Sequence, residues 1–111
     1  GSPTAHLRHP SIPDMSLALR VLDVSIGGCA LLLPANVPPL QPGTRLDGVR
    51  VDLDADTRFE VAIQMPHVSS MNSTGHVRLG CEWLRLDGGA QRALQRYIDQ
   101  TQKRHRLLSL G

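Results

Sequence analysis

Between Ala5 and Leu86 several segments carry apolar residues at every second position, and turn-forming residues separate them about every 8–12 residues. Leu17, Leu19 and Val21 alternate with Ser16, Ala18 and Arg20. Phe59, Val61, Ile63 and Met65 alternate with Arg58, Glu60 and Gln64. Val77, Leu79, Cys81 and Trp83 alternate with Arg78 and Glu82. Period two is the repeat of a β-strand, whose successive side chains point to opposite faces. A chain patterned this way buries one face of a sheet, which excludes a helical bundle for most of its length.

The turns place the strands. Ala5 to Arg8 reads as a short first strand, ended by Pro10-Ser11-Ile12-Pro13-Asp14. Ser16 to Val24 is the second. Gly27-Gly28 reads as a sharp reversal at positive φ. Cys29 to Leu33 is a nearly continuous apolar run, as expected of a strand covered on both faces. Pro34 to Pro42 holds four prolines and reads as a loop. Thr44 to Leu53 follows, with Leu46, Val49, Val51 and Leu53 inward and an irregularity at Asp47-Gly48. Asp54-Ala55-Asp56 joins it to a strand over Arg58 to Met65, His67 to Gly75 reads as a loop, and His76 to Leu86 is the last strand.

The period then changes. In Ala90 to Leu108 the apolar residues Ala90, Leu94, Tyr97 and Ile98 fall three and four apart, one stripe of a helix, with Asp87 placed to cap its start. The expected fold class is all-β with a C-terminal α-helix: a six-stranded antiparallel β-barrel over about 5–86 and a helix over about 88–108. Gly1-Ser2 reads as an expression scar, and 3–111 as one domain, the default for 111 residues.

Composition narrows the function. Phe59, Trp83 and Tyr97 are the only aromatics, so the core is aliphatic and a base-stacking platform for single-stranded nucleic acid is absent. No nucleic-acid polymer is expected as a partner. The net charge is +2, and part of the basic excess lies in Lys103-Arg104-His105-Arg106, read as a solvated helix end. Cys29 and Cys81 each sit in an apolar run and read as buried reduced thiols, not as a disulfide framework. No apolar run approaches the ~20 residues of a membrane span, and no secretory signal is present. No membrane insertion is expected, and the cytoplasm is the expected compartment. His6, His9, His67, His76 and His105 show no metal spacing with the cysteines, so no metal site is expected. No nucleophile-elbow motif surrounds Ser25, so no hydrolase is expected. Trp83 reads as packing rather than as a stacking surface.

The chemistry concentrates in Asp23-Val24-Ser25-Ile26-Gly27-Gly28, an Asp-x-Ser-x-x-Gly run where the second strand meets the third. Asp23 and Ser25 are two apart, so in an extended strand they point the same way. Asp23 can accept from the N1–H and exocyclic amine of guanine. The Ser25 hydroxyl and glycine-freed amides can hold phosphate or ribose oxygens. The competing reading is a tight turn in which Asp23 and Ser25 satisfy the turn's own amides.

This run resembles the D/N-x-S-x-x-G motif of PilZ domains. Arg78-Leu79-Gly80-Cys81-Glu82-Trp83 is similar to the R-x-G-x-x-F/W pattern on a late strand of that family. The tail from Gln91 to Ile98, with Gln102 to Arg106, resembles the long C-terminal helix of the YcgR-type flagellar brake subgroup. The resemblance implies a non-enzymatic receptor for cyclic di-GMP in a bacterial motility protein, without a cofactor. The implied nucleotide-binding residues are Asp23, Ser25, Gly27, Gly28, Arg78 and Gly80, with Gly28 giving close backbone approach. Gln64 is a further candidate for the ligand face. Implied protein partners are stator or rotor components of the flagellar motor, with a location at the flagellar basal body. The family also carries an R-x-x-x-R motif upstream of the first strand. Only Arg8 and Arg20 precede Asp23 here, and they are not four apart. The expected consequence is impaired nucleotide binding by these 111 residues. The alternative is a degenerate adaptor that docks proteins and not the nucleotide.

Overall fold

The computed structural model describes residues 2–71 and 74–110, with side chains described through residue 104. The strands are β1 (Thr4–Arg8), β2 (Ser16–Val24), β3 (Gly28–Leu33), β4 (Thr44–Asp54), β5 (Thr57–Ser70) and β6 (Val77–Leu84), followed by helix α1 (Gly88–Leu110). All pairings are antiparallel, in the closed order β1-β2-β3-β6-β5-β4, with β1 also paired to β4. Closure leaves no sheet edge, as in other small barrels. The six-stranded barrel with one C-terminal helix agrees with the alternation in the sequence.

The inward positions are those of the period-two pattern. Leu19, Leu31, Leu33, Val49, Val51, Ile63, Met65 and Leu79 are essentially sealed from solvent. At about 1.5–3 kcal/mol per fully buried aliphatic side chain, this layer is the main source of stability. Phe59 and Trp83 meet edge to face, 5.6 Å between ring centres at 76°, so Trp83 packs rather than stacks on a ligand. The irregularity expected at Asp47-Gly48 is a register shift between Leu46 and Val49, and Gly48 takes φ 64° there.

Helix α1 lies against β5 and places Ala90 and Leu94 in the core, with Tyr97 and Ile98 partly buried beside it. Asp87 caps the first turn: the Ala90 N–H donates to its Oδ1 at 2.7 Å, and the Gln91 N–H to its carbonyl at 2.9 Å. Asp87→Ala removes this cap and is expected to cost about 1 kcal/mol, read as a fall of about 4 °C in Tm by thermal circular dichroism. The helix continues to Leu110, so Lys103 and Arg104 lie before its last turn rather than at its end. The side chains of His105 and Arg106 lie outside the described residues.

Three expectations need correction. Positive φ occurs at Gly43, Gly48 and Gly75 among the described glycines, not at Gly27 or Gly28, so the β2–β3 reversal is not a left-handed glycine turn. β5 does not stop at Met65. It passes a register shift between Gln64 and His67, which contains Pro66, and pairs His67, Val68, Ser69 and Ser70 with β6. The apolar alternation fades beyond Met65, but backbone pairing to β6 continues the strand without it. Of the segment expected as a loop, 67–70 is therefore strand, and 72–73 lies outside the described residues. β6 also ends at Leu84, two residues early, and the backbone turns through Arg85 at φ 58°.

His9 is built into the fold. It is almost wholly buried at the β1–β2 turn, where its Nδ1 accepts from the Ser11 N–H at 3.1 Å and its Nε2 lies 2.9 Å from the Pro38 carbonyl. The tautomer with hydrogen on Nε2 satisfies both contacts and ties the turn to the proline-rich loop.

Candidate functional site

The site grows from one irregularity in β2. Leu17, Leu19 and Val21 set an inward phase that carries Asp23 into the core if the alternation runs on. Instead the register slips between Val21, opposite Leu31, and Asp23, opposite Ala30. The bulge inserts one residue at Leu22 and turns the phase over. Asp23 faces outward with 68% of its side chain exposed, and Val24 packs toward the core. A carboxylate that a regular strand would have buried is delivered to the surface.

Beyond Val24 the chain reverses. The Ser25 N–H donates to the Gly28 carbonyl at 2.8 Å, and the Gly28 N–H to the Ser25 carbonyl at 3.3 Å. The Ser25 hydroxyl is 3.4 Å from the same Gly28 carbonyl. Trp83 anchors the loop from the neighbouring strand, its indole N–H donating to the Ser25 carbonyl at 3.0 Å and its backbone N–H to the Gly27 carbonyl at 3.1 Å. Ser25 thus serves the turn in part, whereas Asp23 does not. The Asp23 Oδ2 instead meets Arg78 Nη2 at 3.4 Å across the β3–β6 ladder. At that length and exposure the pair contributes under about 1 kcal/mol, so both side chains can be recruited by a ligand at little cost.

Gly28 is held to glycine by the neighbouring strand. A Cβ there would lie 1.9 Å from the Cys81 carbonyl oxygen. The glycine is demanded by the backbone of β6, against which β3 starts. At Gly80 a Cβ would come 3.3 Å from the His67 Cβ, and at Gly27 nothing lies nearer than 4.0 Å. Gly28, Ala30 and Gly80 occupy outward positions of the ladder, Gly28 opposite Glu82 and Ala30 opposite Gly80. With almost no side chains on them, they leave a flat floor.

Above that floor is an open cavity of about 400 Å³. Asp23, Ser25, Gly27, Gly28, Arg78 and Gly80 all line it, so the six residues of the implied nucleotide set are brought to one place. Pro66, His67 and Glu82 line it too. The first two were missed because they lie in the part of β5 that the apolar pattern did not reveal. Glu82 was legible as an outward neighbour of Arg78. Gln64 does not line the cavity, and Arg8 and Arg20 do not reach it either. Arg8 borders a separate hollow of about 650 Å³ beside the β1–β2 turn. Beneath the floor Cys29 and Cys81 face each other. The Cys29 thiol is held well above its ordinary pKa, first by its hydrogen bond to Cys81 and then by burial. The same bond pulls Cys81 down against its own burial.

Among the described residues no helix is long and apolar enough to cross a membrane, and no three His, Cys, Asp or Glu side chains converge on a metal position. A flat floor edged by a carboxylate, a guanidinium, a hydroxyl and free backbone amides suits a planar, hydrogen-bonding ligand that carries anionic groups.

Known proteins share this fold. Solved structures with the same fold include YcgR from Escherichia coli in complex with c-di-GMP, with a TM-score of 0.79 at 24% identity over 96% of this chain and 44% of that one. The PilZ domain of the same protein with c-di-GMP gives 0.77 at 23% identity, over 96% and 87%. Among curated relatives, the flagellar brake protein YcgR of Methylibium petroleiphilum is 61% identical over 98% of this chain and 48% of its own length. That of Leptothrix cholodnii is 49% identical over 98% and 44%. The chain spans about half the length of these relatives. The family model described as PilZ domain matches residues 8–100, taking in both the Asp23–Gly28 loop and β6. By that match, by the identities and by the shared barrel, the chain belongs to the PilZ domain family.

Proposed function

We propose that this chain is the cyclic di-GMP-sensing regulatory module of a flagellar brake-type motility protein, acting by binding and not by catalysis. One observation carries the reading: Asp23, Ser25, Gly27, Gly28, Arg78 and Gly80 line a single open cavity. The floor accepts a guanine face, Asp23 accepts from the guanine N1–H and amine, and Ser25 with the loop amides holds phosphate or ribose oxygens. Arg78 exchanges its long contact with Asp23 for a ligand phosphate. The bound module then acts on stator or rotor proteins of the flagellar motor at the basal body.

The charges around the cavity limit what these residues do alone. Asp23 and Glu82 are anionic, and Arg78 is the one arginine among the described lining residues. A nucleotide with two phosphates is not attracted by that balance, because phosphate capture favours planar, bidentate guanidinium groups. The 111 residues contain no Arg-x-x-x-Arg ahead of Asp23 to supply them. The chain by itself therefore binds cyclic di-GMP weakly, and tight binding needs arginines from outside it. When such an arginine segment orders over the cavity, it re-aims whatever precedes the barrel, a disorder-to-order switch.

The test is isothermal titration of cyclic di-GMP into the 111 residues and into the longest natural form of the protein. The expected result is a Kd weaker than about 0.1 mM for the first and micromolar or tighter for the second. Micromolar binding by the 111 residues alone overturns the impaired-binding part. No binding by the longest form overturns the sensor reading and leaves the protein-docking adaptor.

A further inference from the structure

Cys29 and Cys81 are direct register partners on β3 and β6. Both are free, both are inward-facing members of the core, and they are 9% and 6% exposed. The backbone N–H of Trp83 donates to the carbonyl of its own partner, Gly27. Two residues along, Cys29 and Cys81 again form a hydrogen-bonded pair, for which antiparallel geometry sets Cα atoms ~5.5 Å apart. Disulfides span about 4.4–6.8 Å between Cα atoms, so the spacing admits a bridge, while directly opposite Cβ atoms, about 4.5–5.5 Å apart, must draw in toward the ~3.8 Å of a disulfide. The Cys81 thiol donates to the Leu79 carbonyl at 3.5 Å, and both residues border the cavity.

We propose that Cys29 and Cys81 form a reversible redox site, a dithiol that a hydroperoxide converts to a cross-strand disulfide beneath the cavity floor. The Cys81 thiolate is the nucleophile, since its neighbour's S–H stabilises the anion. It attacks one peroxide oxygen, the O–O bond breaks, and hydroxide leaves, giving Cys81 sulfenic acid. The Cys29 sulfur then attacks the Cys81 sulfur. The S–S bond forms, the S–O bond breaks, and water leaves with the Cys29 proton. Two electrons pass from the thiols to the peroxide, which ends as water. A thiol reductant reverses the change.

The disulfide would act on the floor above it. Cys29 adjoins Gly28, Cys81 lies between Gly80 and Glu82, and the Cys81 carbonyl already packs on Gly28. Drawing the sulfurs together shifts these residues and fixes the β3–β6 spacing. The proposal concerns the thiols alone and holds whatever ligand the cavity takes.

The test treats the purified, reduced chain with hydrogen peroxide near stoichiometry, then quenches, denatures and counts free thiols. Expected results are loss of both thiols, a monomer lighter by two hydrogens, a Cys29–Cys81 cross-linked peptide, and full recovery with dithiothreitol. NMR spectra of the oxidised form should show shifts centred on Gly28 and Gly80. With Cys29→Ser, Cys81 should instead accumulate a dimedone-trappable sulfenic acid. Both thiols still free after treatment, intermolecular dimers as the only disulfide product, or irreversible sulfinic acid in the wild-type chain would each overturn the proposal. Because the peptide map is made on the wild-type protein, a poorly folding Cys29→Ser variant does not weaken the test.

Discussion

Gly28→Ala should unfold the domain or leave it barely stable, with a loss of more than about 3 kcal/mol in urea denaturation followed by Trp83 fluorescence. The added methyl group would sit 1.9 Å from the Cys81 carbonyl oxygen, which is backbone and cannot swing aside. Relief requires β3 and β6 to part at the point where the Gly27 carbonyl accepts from Trp83 and the Ser25–Gly28 turn closes. Domains of this size are stable by about 5–15 kcal/mol, so the loss takes a large share of the total. The control is one residue away. A Cβ at Gly27 meets nothing nearer than 4.0 Å, so Gly27→Ala should change stability by no more than about 0.5 kcal/mol. Equal effects at the two positions would refute the steric account of Gly28.

Asp23→Ala should weaken cyclic di-GMP binding by the longest natural form roughly 10- to 150-fold, the worth of about 1.5–3 kcal/mol for hydrogen bonds to a charged group. Its Tm should stay within about 2 °C, because the side chain is exposed and its contact with Arg78 is long. Asp23→Asn sharpens the assignment. The amide keeps an acceptor oxygen but loses the charge and one of the two acceptors that a guanine edge uses, so most of the affinity loss should remain. If Asp23→Ala instead unfolds the barrel, the carboxylate belongs to the turn. If it leaves binding unchanged, the nucleotide does not meet Asp23.

The two substitutions separate what one motif does in two ways. At Asp23 and Ser25 the motif offers polar groups to the cavity. At Gly28 it lets two strands approach closely enough to build that cavity. A pattern of residue types joins these roles, and only the distance to the Cys81 carbonyl divides them. The redox proposal follows from the same close contact: the strands that need glycine at position 28 hold two thiols opposite each other one residue further on.

The barrel and the helix were legible in the sequence because each rests on a local rule. A strand that buries one face must alternate, as Leu17-Leu19-Val21 and Phe59 to Met65 do, and a helix that buries one stripe must repeat as Ala90-Leu94-Tyr97-Ile98 do. The cap at Asp87 and the irregularity at Asp47-Gly48 were local too. The sequence by itself also determined the ingredients of the site, since Asp23, Ser25, Gly28, Arg78 and Gly80 stand out from the apolar runs around them. What it left open was where they go. The bulge at Leu22 reverses the phase of β2 and turns Asp23 outward, and the bulge at Pro66 carries β5 on to place His67 at the cavity. A bulge shifts a strand by one residue, and its position depends on the partner strand that the residue must match. Pairing of Cys29 with Cys81 and of Ala30 with Gly80 is fixed by the same cross-strand register. Tertiary structure alone decided these contacts, because closing a barrel imposes register between strands that are distant in the chain, and no local pattern encodes it.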